Sequence, residues 1–209
     1  FQDARASMDP LYTIGRQIGE TLALMEREIR ENGITYNVYA DPKGADRPWE
    51  VDPLPLLIAP DEWQRIEAGV AQRADLLNRV LADIYGPQNA VKDGVIPARL
   101  VTSSAHFHRE AAGIEPANGV RIQVSGIDLI RDEQGGWRVL EDNVRVPSGV
   151  SYVISNRRVM AQTLPELFVS MRVRPVGDYP HKLLQALRAS APGGVEDPTV
   201  VVLTPGVYN

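Results

Sequence analysis

Residues 120–143 read VRIQVSGIDLIRDEQGGWRVLEDN, and the fold turns on them. Val120–Ile130 is rich in β-branched residues, Arg131–Gly136 holds turn formers, and Trp137–Asn143 alternates again. The pattern predicts two antiparallel strands joined by a tight turn. With a four-residue loop, Glu133–Gly136, Asp132 pairs with Trp137 and Asp128 stands directly opposite Glu141. Strand side chains alternate between faces, so Asn143 shares the face of Glu141, while Asp142 points the other way and is a poorer ligand. Like charges placed opposite each other destabilise a sheet. A divalent cation between them reverses the sign. Two carboxylates and an amide oxygen are hard donors of the kind Mg2+ takes, with phosphate oxygens and waters completing its shell. Asp128, Glu141 and Asn143 are therefore the candidate metal ligands. Acids near a hairpin mouth are also commonly solvated, and another loop length moves Asp128 out of register.

The loop that follows supplies Arg145, Pro147, Ser148, Gly149, Ser151 and Tyr152. Backbone N–H groups around a glycine, with hydroxyls and an arginine, can hold phosphate or carboxylate oxygens. Arg145 and Ser148 are the candidate catalytic residues, and Gly149 and Ser151 the candidate cofactor-binding ones. A plain turn at Ser148-Gly149 is the alternative.

Outward from this segment, Arg5–Asn32 carries Leu11, Ile14, Ile18, Leu22, Met25 and Ile29 at helical spacing, with Asn32-Gly33 as its stop. Ile34–Tyr39 predicts a strand, Asp41–Gly44 a turn, and the proline-bearing stretch Arg47–Ile58 an extended segment. A long helix is expected over Pro60–Tyr85, with Trp63, Ile66, Val70, Leu77, Leu81 and Ile84 as a core stripe. Further helices are expected at Ser155–Met171, capped by Ser155, and at Tyr179–Ala189. Thr199–Leu203 reads as a buried strand of parallel type. Helices and strands are mixed, which places the chain in the α/β (α+β) class.

Composition narrows the function. The 209 residues include 44% hydrophobic and 23% charged side chains, as in an ordinary soluble globular domain. There is no cysteine, which excludes disulfides, thiolate metal sites and thiol nucleophiles. The net charge of −5 argues against a nucleic-acid partner, and Arg157-Arg158 and Arg172-x-Arg174 read as solvated helix faces. No apolar run approaches the roughly 20 residues of a membrane helix. His106 and His108 share a face if extended but lack a third ligand for zinc. No Walker loop, Rossmann glycine fingerprint, nucleophile elbow or His-Glu-x-x-His pattern occurs. The turn-like Thr204-Pro205-Gly206 after a strand leads one to expect a helix next, so the sequence reads as part of a longer chain.

Glu141–Tyr152, read as EDNVRVPSGVSY, resembles a signature of the circularly permuted ATP-grasp proteins, bacterial proteins similar to glutathionylspermidine synthase. Asn32–Tyr39, Arg47-Pro48-Trp49, Gly126–Leu129, Pro165–Phe168, Leu203–Gly206 and Tyr208-Asn209 resemble the same family, so the likeness spans nearly the whole chain. It implies an ATP-grasp-like mixed sheet with flanking helices. It also implies ATP-dependent joining of a carboxylate, as an amino acid or small peptide, to an amine through an acyl phosphate. In such proteins an acid on one strand and Glu-x-Asn on the next hold Mg2+ at the ATP phosphates. Asp128, Glu141 and Asn143 match that pattern, and Arg145–Tyr152 would face the acceptor carboxylate or the transferred phosphate.

The resemblance implies three parts: residues 1–48 as an N-terminal helix and strand, 49–178 as the part with the metal-ligand hairpin, and 179–209 as the start of a Rossmann-like domain. The nucleotide-gripping lysines of the family come later in its permuted order. Lys43, Lys92 and Lys182 are the only lysines here, and none lies in a nucleotide motif. The expectation is a cytoplasmic ATP- and Mg2+-dependent carboxylate–amine ligase whose 209-residue piece is inactive alone. A non-catalytic peptide- or partner-binding domain on the same scaffold is the alternative, and a metal-dependent hydrolase using the same acids is a third.

Overall fold

A computed structural model describes residues 2–36 and 47–203, with side chains from Ile14 onward. The expected turn at Asp41–Gly44, residues 37–39 of the expected first strand, and residues 204–209 lie outside the described residues. The chain divides into two compact units, one of residues 1–57 and 149–177, the other of 58–148 and 178–209.

The first unit holds α1 (Gln2–Glu31), β1 (Thr35–Tyr36), β2 (Arg47–Pro48), α5 (Val150–Thr163) and α6 (Pro165–Met171). Asn32-Gly33 ends α1 as expected: Gly33 takes a positive φ and the Ile34 N–H reaches the Ile29 carbonyl at 3.0 Å. β1 and β2 pair antiparallel, Thr35 with Pro48 and Tyr36 with Arg47. The core is Met25, Ile29, Val159 and Met160, ringed by Ile34, Trp49, Val51, Leu164 and Phe168. Among the described residues the α1 stripe is buried only at this end. Ile14, Ile18 and Leu22 remain exposed. Trp49 stacks on Tyr152 at 4.1 Å between ring centroids and donates its indole N–H to Asn156 Oδ1 at 2.7 Å. Arg157 is less solvated than expected, since it lies over the Phe168 ring and donates to the Val173 carbonyl.

Two boundaries differ from expectation here. The helix predicted from Ser155 starts at Val150, because Gly149 takes φ +94° and turns the chain directly into it. At that φ a side chain would be strained. The helix also breaks at Leu164, where Pro165 opens α6 as its first residue.

The second unit holds α2 (Pro60–Ile84), the short helices α3 (Asn89–Lys92) and α4 (Ala98–Thr102), the hairpin β3 (Gly126–Arg131) and β4 (Trp137–Asn143), and α7 (Tyr179–Ala189). Pro60, Asp61 and Glu62 form the first turn of α2, where a missing N–H costs nothing and negative charge meets the helix dipole. Trp63 is not core: it is 41% exposed, and Ile66 is the buried member of its stripe. Asn78 pins the chain entering the hairpin, accepting from the Arg121 N–H at 2.7 Å and donating to the Gly119 carbonyl at 3.2 Å.

β3 begins at Gly126, not Val120, and β4 has the expected bounds. The hairpin loop is one residue longer than expected, and Arg131, not Asp132, pairs with Trp137. Asp132 is drawn into the turn instead. Its carboxylate accepts from the Gln134 N–H at 3.1 Å, the Gly136 N–H at 2.6 Å and Arg138 Nε at 2.7 Å. The Arg138 guanidinium first, and then the Gly136 N–H, hold the Asp132 carboxyl below the usual carboxylate range. A lowered native value means that its stabilisation is present above the ordinary carboxylate pKa and is lost as pH falls through the native one. Asp132→Asn is therefore expected to lower the melting temperature at pH 7, with the gap from wild type closing below about pH 4. Melting curves from pH 7 to 3 check this, and a constant gap contradicts it.

Thr199–Leu203 is not a buried strand. Among the described residues no strand lies beside it, and Val201, Val202 and Leu203 are at least 80% exposed. Strand pairing requires a ladder partner, whatever the β propensity of the run. Among the described residues the sheets are two, each two-stranded and antiparallel. The α/β class stands, with helices and small antiparallel sheets.

Candidate functional site

Asp128 pairs directly with Glu141, as the sequence predicts. The register survives the longer loop because β4 carries a bulge. Leu129 faces Val139 and Asp128 faces Glu141, so Leu140 is the extra residue. Leu140 and Glu141 are both exposed in succession, as a bulge requires. From Glu141 onward alternation resumes: Glu141 and Asn143 point outward with Asp128, and Asp142 points inward.

The outer face at this end of the ribbon is a constellation of oxygens. Asn143 Nδ2 donates to Glu141 Oε1 at 2.8 Å, which leaves the amide oxygen to accept or ligate. Among the described residues no lysine or arginine pairs with Asp128 or Glu141, whereas the other hairpin aspartates, Asp132 and Asp142, each have an arginine. Water softens the repulsion between the facing carboxylates without making it favourable. The donor set fits a hard divalent cation that brings part of its own shell. Among the described residues no group of three or more His, Asp or Glu gathers to hold a metal, so the remaining oxygens would come from ligand and water.

The inner face is turned toward α2 across a cavity that Leu129, Trp137 and Val139 line from the ribbon side. At the turn end, Glu62 accepts from Arg131 Nη2 at 2.7 Å and from Trp137 Nε1 at 2.7 Å. At the acid end, Asp142 takes a two-pronged pair from Arg73, Nε to Oδ1 at 2.7 Å and Nη2 to Oδ2 at 2.5 Å. These hydrogen bonds hold the Asp142 carboxyl below its usual range and raise Arg73. Between the two clamps a cavity of about 790 Å3 opens, floored by Ile66, Val70, Leu129 and Val139.

The loop leaves the hairpin at Val144. Arg145 and Ser148 are exposed, and Arg145 has no ion-pair partner among the described residues. Pro147 folds back on β3. A Cβ on Gly126 would stand 3.2 Å from the Pro147 Cβ and 3.7 Å from that of Asn143. Glycine at 126 thus permits the loop to lie against the acid end. Gly149 and Ser151 belong to the other unit, at the cap and first turn of α5, with Ser151 exposed. Tyr152 is not a free loop hydroxyl: its OH donates to the Thr35 carbonyl at 2.8 Å.

Sequence reasoning missed Arg73 and Gly126. Arg73 carried a signal, since it interrupts the apolar spacing Ile66, Val70, Leu77 on α2. A cation on the packed face of a helix needs an acid opposite. Gly126 carried none that distinguished it from a strand bend.

Comparison with known proteins places the chain. The sequence profile of a circularly permuted ATP-grasp family matches residues 55–209. An uncharacterised protein of Mycobacterium tuberculosis is 57% identical over 183 residues, which is 88% of this chain and 32% of the relative. One of Synechocystis is 49% identical over 177 residues, covering 85% of this chain and 37% of the relative. A Frankia casuarinae protein named "Putative glutamate--cysteine ligase 2-2" is 39% identical over 204 residues, 97% of this chain and 23% of its own. The chain spans about a third of the length of the first two. No helix of the described residues is long and apolar enough to cross a membrane. On this profile match over most of its length, the chain belongs to the circularly permuted ATP-grasp family.

Proposed function

We propose that the complete protein is an ATP-dependent carboxylate–amine ligase and that this chain supplies its Mg2+-holding ribbon. The observation that carries the reading is Asp128 directly opposite Glu141 on an outer face, with Asn143 beside them and, among the described residues, no lysine or arginine paired with either acid. In the reaction, a carboxylate oxygen of the acid attacks the γ-phosphorus of ATP and ADP leaves. An amine then attacks the acyl carbon, phosphate leaves, and the nitrogen gives up a proton. Mg2+, when bound, neutralises phosphate charge during the transfer. Asp128, Glu141 and the Asn143 amide oxygen would hold it. Arg145, without an ion-pair partner among the described residues and two residues beyond Asn143, would orient the carboxylate or the transferred phosphoryl group, with Ser148 donating a hydrogen bond. Within the other unit, and on their own account, Gly149 and Ser151 at the start of α5 would be cofactor-binding, since N–H groups there lack helical partners. Positioning and charge neutralisation do most of the work, so no nucleophilic side chain is required.

The Frankia relative, named a ligase of glutamate and cysteine, supports an amino acid or small peptide as the acid. Likeness to glutathionylspermidine synthase points to a peptide acid and an amine acceptor. Use of ATP favours the cytoplasm. The test is thermal: Mg·ATP is expected to raise the melting temperature of the complete protein, and ATP with EDTA to raise it less. No shift with Mg·ATP turns the assignment to a non-catalytic partner-binding domain. Turnover of a substrate without ATP turns it to a metal-dependent hydrolase.

A further inference from the structure

The bulge at Leu140 sets a problem that α2 solves. From Arg131 to Leu129 the strands follow one register, and from Asp128 to Gly126 they follow another, one residue displaced. If the first register continued, Glu141 would stand opposite Ile127 and Asp142 opposite Gly126. Glu141 would then turn inward, and the acid constellation would be lost, since a one-residue slip reverses every face. The ribbon is clamped on both sides of this shift. Glu62 holds Arg131 and Trp137 at the turn end, and Arg73 holds Asp142 at the acid end. The Asp142 side chain is only 17% exposed, while Arg73 reaches it from a half-exposed position on α2.

We propose that Arg73 is a positioning residue for the metal-holding face: by fixing Asp142 inward, it keeps the flanking Glu141 and Asn143 outward, opposite Asp128. This rests on the metal reading above. Arg73 touches neither metal nor substrate. It selects the register in which the three oxygens share a face, and its planar fork matches both carboxylate oxygens, which a lysine cannot do.

These 209 residues contain no cysteine to compete, and with any cysteine elsewhere in the complete protein first replaced by serine, a disulfide can report the register directly. In the complete protein, Asp128→Cys combined with Glu141→Cys is expected to oxidise readily, because directly paired positions lie within disulfide reach. Adding Arg73→Met should reduce the yield several-fold. In the otherwise unchanged protein, Arg73→Met and Asp142→Asn should each weaken Mn2+ binding roughly 10-fold or more, as loss of a group that orients ligands does. Arg73→Lys should recover part of it. Mn2+ titration with paramagnetic detection, without nucleotide, reads this apart from turnover. A purely structural Arg73 would lower the melting temperature while leaving cross-link yield and Mn2+ affinity of the folded protein unchanged, and that result overturns the proposal. Equal Mn2+ affinity in wild type and Glu141→Gln would instead sink the metal reading, while the cross-link still decides whether Arg73 sets the register.

Discussion

Glu141→Gln in the complete protein is expected to cut Mg·ATP consumption by at least about 100-fold, the scale on which removal of one group stabilising transition-state charge acts. The melting temperature should stay within a few degrees of wild type. Gln matches Glu in shape, and Glu141 is exposed on the outer face with Asn143 Nδ2 as its partner. The substitution therefore removes charge and little else. It also relieves the repulsion from Asp128, so stability should hold or rise slightly. A colorimetric phosphate assay across Mg2+ concentrations, beside a melting curve, checks both halves. Undiminished ATP consumption would reject the metal role of the ribbon.

The second large effect lies in the other unit. Met25→Ala is expected to destabilise it by about 2–5 kcal/mol, lowering its melting temperature on the order of 10 °C. Met25 is fully buried and packs with Ile29, Val159 and Met160. These few side chains are the buried apolar core of that unit among the described residues. Truncation leaves a void bounded by two helices, which cannot close it without moving. Ile18→Ala, on the same helix stripe but exposed, should change stability by less than about 0.5 kcal/mol. Denaturant melts followed by tryptophan emission, in a background with Trp63 and Trp137 replaced by phenylalanine so that Trp49 reports, would read the contrast. Equal effects of the two substitutions would show that the core lies elsewhere.

Much of this arrangement was legible in the sequence. The helix bounds at Pro60 and at Tyr179–Ala189, and those of the second hairpin strand, follow from caps, prolines and alternation. The pairing of Asp128 with Glu141 was reached through two departures that cancel. The loop is one residue longer than expected, because Asp132 takes two turn N–H groups and the Arg138 guanidinium of β4 in preference to a place in the ladder. The bulge at Leu140 then restores the count. Strand patterning sees neither, since each is a local competition for hydrogen bonds. The run Thr199–Leu203 misled for a different reason. Its composition describes what it would do beside a partner, and the ladder itself is a long-range property. Trp63 misled because helical spacing marks a face without telling how far along the helix that face is covered. Arg73 was the most informative residue left unread: its interruption of the α2 stripe pointed to an inward-facing acid, and Asp142 is that acid.

Leu140 is also the one position on β4 that the ladder can spare. Were it deleted, Val139 would still oppose Leu129 and Glu141 would still oppose Asp128, so every partnership would persist. What would vanish is the added local coiling that such an irregularity imposes. The extra leucine thus governs where the acids aim: without it the same ligand trio would remain and be presented at another angle.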